Sequence, residues 1–284
     1  MSKVYYHYCS LETLIHIISS KKIRLCNVSK MNDEYECLNL DDFLVKVIKD
    51  RNLDKTNPEI IKLSDVYLEY KYDRHMPYVS CFSEDKDRLS QWRAYANDGQ
   101  GVSIGFDFDK LENIIENSPT LIKSTMQPLG YSKVIYKDEE KKALLNNLID
   151  KYIDEFNVIR YDDKKIKILN DEYSNTLLKY TTLFKNEAFI EESEQRIIYL
   201  PLTKWMKRIN AIYNFSEFKK LDKGFYSKAN TIIGFYEYPF NSDVISEIVL
   251  GPKCKLDEED IDLKNLLEHY DIKANISKSK ASYR

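Results

Sequence analysis

Residues Phe189-Ile190-Glu191-Glu192-Ser193-Glu194-Gln195-Arg196 run directly into the apolar stretch Ile197-Ile198-Tyr199-Leu200, and the conformation of this segment decides how the chain is read. As a strand extended backwards from the apolar run, alternation places Glu192, Glu194 and Arg196 on one face, with Glu191, Ser193 and Gln195 on the other. Two carboxylates and a guanidinium then share a stripe. Like charges that close resist joint ionisation, so one carboxyl keeps its proton to higher pH unless Arg196 or a substrate cation compensates. As a helix end, which the propensities of Lys185 to Glu194 also suit, Glu192 and Arg196 form an exposed i,i+4 pair worth about 0.3–0.5 kcal/mol. Both readings stay open on the sequence.

The 284 residues are enough to bury a large core in one or two domains. Five cysteines (Cys9, Cys26, Cys37, Cys81 and Cys254) are odd in number and widely spaced, with no C-x-x-C pair. They fit a reducing cytoplasm and argue against a zinc site. The N-terminal residues do not have the pattern of a secretory leader, and no apolar run approaches twenty residues, so a soluble cytoplasmic protein without membrane contact is expected. A net charge of -3 sets no global field that would draw the chain onto nucleic acid. Twenty-two tyrosines against seven glycines and seven prolines describe an aromatic-rich fold with few sharp turns.

Val4 to Cys9 reads as a strand, Ser10 as the N-cap of a helix bearing Leu11, Leu14, Ile15 and Ile18, and Ile23 to Asn27 as a second strand. A polar loop follows with Asn32, Asp33 and Glu36, and then two helices divided by Pro58. Tyr78 to Ser83 is predicted as a strand, Ser90 as the start of a short helix carrying Trp92 and Tyr95, and Asp98-Gly99-Gln100-Gly101 as a hairpin turn before the strand Val102 to Asp107. Further strands are predicted at Lys133 to Lys137, Thr231 to Tyr238, Ile245 to Leu250 and Ile272 to Ile276, and a helix at Leu263 to Tyr270. Glu139 to Lys185 is charge-laced and helical. Without repeats or linkers, the simplest organisation is one α+β domain over residues 1–284, with mixed, mostly antiparallel sheets and a helical insertion near 139–185.

Gly99-x-Gly101-x-x-x-Gly105 misses the dinucleotide fingerprint by one residue and leads into a strand, where that fingerprint must open a helix. No Walker sequence or nucleophile elbow is present. The residues left to carry chemistry are His7, Asn32, Asp33, Glu36, Ser80, Ser83, Trp92, Tyr95, Glu192, Glu194 and Arg196. Each also has a plain structural explanation: His7 as a half-buried histidine among tyrosines, Trp92 and Tyr95 as core anchors, Asn32-Asp33 as a turn.

Taken together, these residues form ordered motifs: Tyr6-His7-Tyr8-x-Ser10, N-D-x-x-E at Asn32 to Glu36, S-C-F-S at Ser80 to Ser83, W-x-x-Y at Trp92 to Tyr95, F-x-x-E-x-E-x-R at Phe189 to Arg196, and I-x-E-I-V-L-G-P at Ile245 to Pro252. The chain resembles a bacterial family that is known as a domain of unknown function and carries these motifs in this order. More distantly it is similar to the ADP-ribosyltransferase superfamily, including its DNA-modifying toxins.

That second resemblance implies an ADP-ribosyltransferase-like core with NAD as substrate. His7 on the first strand would hold the NAD, with Ser80 or Ser83 on a later strand, Trp92 or Tyr95 stacked on nicotinamide, and Glu192 or Glu194 at the ribose. Asn32 and Arg196 join the expected nucleotide contacts, Arg196 as a planar fork for a pyrophosphate. Breaking the nicotinamide–ribose bond passes through a cationic state, which a nearby carboxylate stabilises. Glu192 is the first choice for that role. The expected function is transfer of ADP-ribose to a nucleic acid or a protein, or cleavage of NAD, in bacterial stress or anti-phage defence. The alternatives are a non-catalytic protein-interaction module and a metal-dependent nuclease built on Asp33, Glu36, Glu192 and Glu194; no spacing is diagnostic of a metal.

Overall fold

A computed structural model of the chain describes residues 3–30, 39–72, 76–111, 129–201, 221–228 and 230–283. The β-prone run V-Y-Y-H-Y-C makes strand β1 (Val4–Cys9), and Ser10 turns the chain into helix α1 (Leu11–Ser20) by accepting a hydrogen bond from the Thr13 N–H. Lys21 ends that helix in the left-handed conformation, and the chain returns as β2 (Lys22–Asn27). Helices α2 (Asn39–Asp50), α3 (Leu53–Thr56) and α4 (Pro58–Tyr72) follow. Pro58 is the first residue of α4, where its missing N–H is no loss. The extra short turn α3 arises because Asn52 adopts a left-handed conformation, φ 53°.

Strand β3 (Tyr78–Ser83), helix α5 (Leu89–Tyr95) and β4 (Val102–Asp107) come next, then β5 (Leu129–Lys133). The strand expected at Lys133 to Lys137 is therefore displaced towards the N-terminus, and beyond it only a parallel bridge between Ile135 and Phe184 is formed. The turn at Gly99 to Gly101 joins a helix to a strand, where a hairpin was expected. Two long helices, α6 (Asp138–Ile159) and α7 (Asp163–Tyr180), lead to β6 (Glu194–Tyr199). The described chain ends with β7 (Asp222–Lys228), β8 (Thr231–Pro239), β9 (Ile245–Leu250), α8 (Ile261–His269) and β10 (Asn275–Lys278).

The strands form one mostly antiparallel sheet in the order β10-β9-β4-β1-β3-β2-β8-β7, with β6 pairing β3 and β5; the β9–β10 pair is parallel. The mixed α and β content and the mostly antiparallel pairing agree with the sequence reading. Strand β3 is the branch point. One edge pairs with β6 from Tyr78↔Tyr199 to Ser83↔Glu194. The other edge is shared: β2 meets Tyr78 and Val79, whereas β1 meets Ser83. The sheet thus forks between β1 and β2. Midway along the fork, the carbonyl oxygen of Cys81 takes the His7 imidazole as its partner, at 2.9 Å from Nδ1.

Alternation divides the side chains into two cores. Phe82, Ile197, Tyr199 and Ile104 pack with α1 and α8 on one face, and Val79, Ile198 and Leu200 pack with α2, α4, α6 and α7 on the other. A small third cluster joins Tyr8, Trp92, Ala96 and Val249. Among the described residues no helix is long and apolar enough to cross a membrane.

Candidate functional site

Asn186 caps a 3-10 turn, Glu187–Glu192, by accepting a hydrogen bond from the Ala188 N–H at 2.9 Å. Ser193 then takes the left-handed conformation, φ 43° and ψ 56°, and β6 begins at Glu194. Glu192 is therefore neither on the strand nor on an α-helix, which corrects both readings of the segment. The left-handed residue redirects the chain, so period-two alternation holds for Glu194 and Arg196 only. Glu192 still reaches the same charges, from the turn.

Four buried ionic side chains meet there. Arg196 donates from Nε to Glu194 Oε1 at 2.7 Å and from Nη2 to Oε2 at 2.8 Å, and its Nη1 donates to the Thr182 carbonyl at 2.6 Å. Lys185 donates to Glu192 Oε2 at 2.5 Å and to Glu194 Oε2 at 3.2 Å. Lys185 is aimed inwards because its segment runs extended beside Ile135, with Ile135 N–H on Leu183 O at 2.7 Å and Lys185 N–H on Ile135 O at 3.2 Å. Two acids and two bases balance. Burial alone would push the Glu194 carboxyl up, but the Arg196 charge and hydrogen bonds, with Lys185, outweigh it and hold Glu194 at about 2.

Polar neighbours complete the arrangement. The Cys81 thiol hydrogen-bonds to the Glu194 side chain, and the Tyr136 hydroxyl accepts from the Glu194 N–H at 3.0 Å. Ser83 Oγ donates to the Glu192 carbonyl at 2.8 Å. Tyr95 OH donates to Glu192 Oε1 at 3.2 Å. Burial and the Glu192 charge push the Tyr95 phenol up, so it stays a protonated donor. Arg196 is wholly buried, whereas Tyr95 and Phe189 are each 38% exposed and Ile190 is 44% exposed. Lys185 Nζ lies 5.0 Å from the centre of the Phe189 ring. The Glu192 end of the cluster consequently has an aromatic, solvent-facing rim, and the Arg196 end has none.

The structure brings together Glu192, Glu194, Arg196, Tyr95 and Ser83 from the predicted set. Trp92 lies elsewhere: it is wholly buried edge-on against Tyr8, ring centres 4.8 Å apart, with its Nε1 donating to Asp87 Oδ1 at 2.7 Å. His7 sits beside Phe82, ring centres 5.6 Å apart, on the face opposite Tyr6 and Ser83. A carbonyl only accepts, so His7 Nδ1 carries the proton in its bond to Cys81, and burial pushes the imidazole pKa down. Ser80 is buried on the Phe82 face, with no hydrogen-bond partner for its hydroxyl among the described residues. Asn32, Asp33 and Glu36 lie outside the described residues.

Sequence reasoning missed Lys185, Cys81, Tyr136 and the Thr182 carbonyl. Lys185 had one readable signal, as the cation closing the helical stretch just before the acidic run. Tyr136 and Thr182 had none, because they arrive through the Ile135–Phe184 bridge. Among the described residues no group of three or more His, Cys, Asp or Glu side chains is placed to hold a metal ion.

No curated protein and no solved structure matches the chain. Residues 91–197, the span that holds Tyr95, Lys185, Glu192, Glu194 and Arg196, are similar to the family whose model is described as "Protein of unknown function (DUF2971)".

Proposed function

We propose that the chain binds NAD at the Glu192 end of the charged cluster and breaks the bond between nicotinamide and ribose, passing ADP-ribose to an acceptor or to water. One observation carries this reading: a buried carboxylate, held at both oxygens by Tyr95 and Lys185, opens onto a rim of exposed aromatic and apolar side chains. Such a rim suits a flat heteroaromatic ring, and the carboxylate suits a sugar that turns cationic. As the bond lengthens, nicotinamide leaves with the bonding pair and positive charge gathers on the ribose. Glu192 faces that charge already oriented. Lys185 can release Glu192 without being left unpaired, because it also reaches Glu194 at 3.2 Å. Ser83 anchors the backbone of Glu192.

An ADP-ribosyltransferase-like core and a role in stress or anti-phage defence belong to the same proposal and rest on the motif resemblance, and a cytoplasmic location belongs to it on the cysteine pattern. His7, Ser80 and Trp92 take no part in this chemistry. Arg196 is spent on Glu194 and Thr182, so a pyrophosphate is met by other groups.

The test pairs melting temperature with nicotinamide release. NAD at ~100 times its dissociation constant adds ~2.7 kcal/mol of stability. Glu192→Gln keeps the shape and should spare that shift while lowering turnover at least ~100-fold. No shift and no released nicotinamide from the unaltered protein would sink the proposal. A second reading, a non-catalytic module in which the cluster only locks β6 against the end of α7, is favoured by the complete burial of Arg196. In that case Glu192→Gln moves stability alone.

A further inference from the structure

We propose that Asp87 is a positioning residue, holding helix α5 so that the Tyr95 hydroxyl rests on Glu192. The inference depends on the reading in which Glu192 is the working carboxylate. Asp87 lies in the loop between β3 and α5, half-buried, and gathers donors from the nearby helix and from the distant segment after β10. Oδ1 accepts from Trp92 Nε1 at 2.7 Å and from Ser279 Oγ at 2.5 Å, and Oδ2 accepts from the Lys280 N–H at 2.7 Å. The segment that follows β10 is thereby fastened to the first turns of α5. Burial would push this carboxyl up, but the hydrogen bonds from Ser279, Trp92 and the backbone outweigh it and keep it below the usual carboxylate range.

The same loop is tied at two further points. Tyr8 OH donates to the Asp85 carbonyl at 2.7 Å and accepts from the Arg88 N–H at 2.9 Å. At its start, the Glu84 N–H meets the Ser193 carbonyl at 3.1 Å, next to Glu192. The loop therefore has one end on the Glu192 turn and the other on the Asp87 clamp, with α5 leaving from the clamp. Trp92 is wholly buried beneath Tyr8, and Tyr95 follows it three residues later, about one helical turn along and partly exposed. Among the described residues the partly exposed Tyr95 hydroxyl meets Glu192, so its place depends on how α5 is set. Asp87 fixes that setting through the indole it grips.

The experiment places 3-fluorotyrosine at position 95 in the full chain and follows its fluorine resonance. Glu192→Gln marks the position of the resonance when the contact is altered. Asp87→Asn, which turns an acceptor into a donor facing the Lys280 N–H or the indole, should move the resonance as well. It should lower NAD turnover by the same factor as Tyr95→Phe, roughly tenfold for one hydrogen bond to a charged group. The double variant Asp87→Asn/Tyr95→Phe should then be no slower than Tyr95→Phe alone. A folded Asp87→Asn protein with an unmoved resonance overturns the inference, and so do fully multiplicative losses in the double variant. If Asp87→Asn does not fold, Ser279→Ala removes one of the hydrogen bonds to Asp87 and should move the resonance part of the way; no movement again overturns it. Should the unaltered protein release no nicotinamide, the NAD proposal falls, and the fluorine measurement still decides the role of Asp87.

Discussion

Arg196 grips Glu194 side-on, with both donors of one guanidinium edge on both oxygens of one carboxylate, although the two residues stand only two apart on the same strand. The pair is planar, charge-assisted and out of reach of water. Its third contact, to the Thr182 carbonyl, ties β6 to the residues just beyond α7.

Removing one partner from such a pair costs more than the pair contributes, because the other charge stays buried without compensation. Glu194→Gln should therefore destabilise the fold by ~3–5 kcal/mol. A urea titration reads this directly, and a midpoint close to that of the unaltered protein would show that the interaction contributes little.

The depressed Glu194 carboxyl makes stability depend on pH with a definite sign. Its folded value of about 2 lies below the ordinary 4.5, so the native state favours the ionised form. That contribution is complete above the ordinary value and is lost as pH falls towards 2. Stability should decline from about pH 4.5 downwards, and Glu194→Gln should flatten the decline. Equal slopes in the two proteins would remove Glu194 as its source.

Trp92 and Trp205 are the two tryptophans of the chain. In a Trp205→Phe background, Trp92 should emit at short wavelength and resist quenching by iodide, since it has no exposed surface. Ready quenching would place the indole at an open cleft after all.

A methyl group on Gly101 would stand 2.1 Å from the Cys9 carbonyl oxygen and 3.0 Å from that of Ala96. Neither obstacle is a flexible side chain, so backbone must shift. Gly101→Ala should cost ~3 kcal/mol, measured by chemical denaturation, and an unchanged midpoint would show that the turn yields easily.

The sequence exposed the parts of this molecule that are governed by local rules. Ser10 as a cap, Pro58 at a helix start, the alternation in Val102 to Asp107 and the strand Ile245 to Leu250 are all written in neighbouring residues. It failed where a single residue changes the direction of the chain. Nothing in the composition of Glu191 to Gln195 announces a left-handed Ser193, so neither the strand nor the helix-end reading places Glu192 in the 3-10 turn where it lies. It failed again where partners come from different segments. Trp92 and Tyr95 look alike in spacing, yet one is sealed under Tyr8 and the other faces solvent beside Glu192, a difference set by where β1 and the 3-10 turn lie.

The forked sheet also sets the order in which the molecule can be assembled. Lys22 of β2 bonds to Glu237 of β8, 215 residues further along, while β3, much nearer in sequence, covers β2 at two positions only. During synthesis at about 5–20 residues per second, β2 waits on the order of 10–40 s before the strand that closes its outer edge exists. A strand edge left unpaired for that long is a template for the wrong chain. Completion of β2's pairing is accordingly a late event that waits for β8.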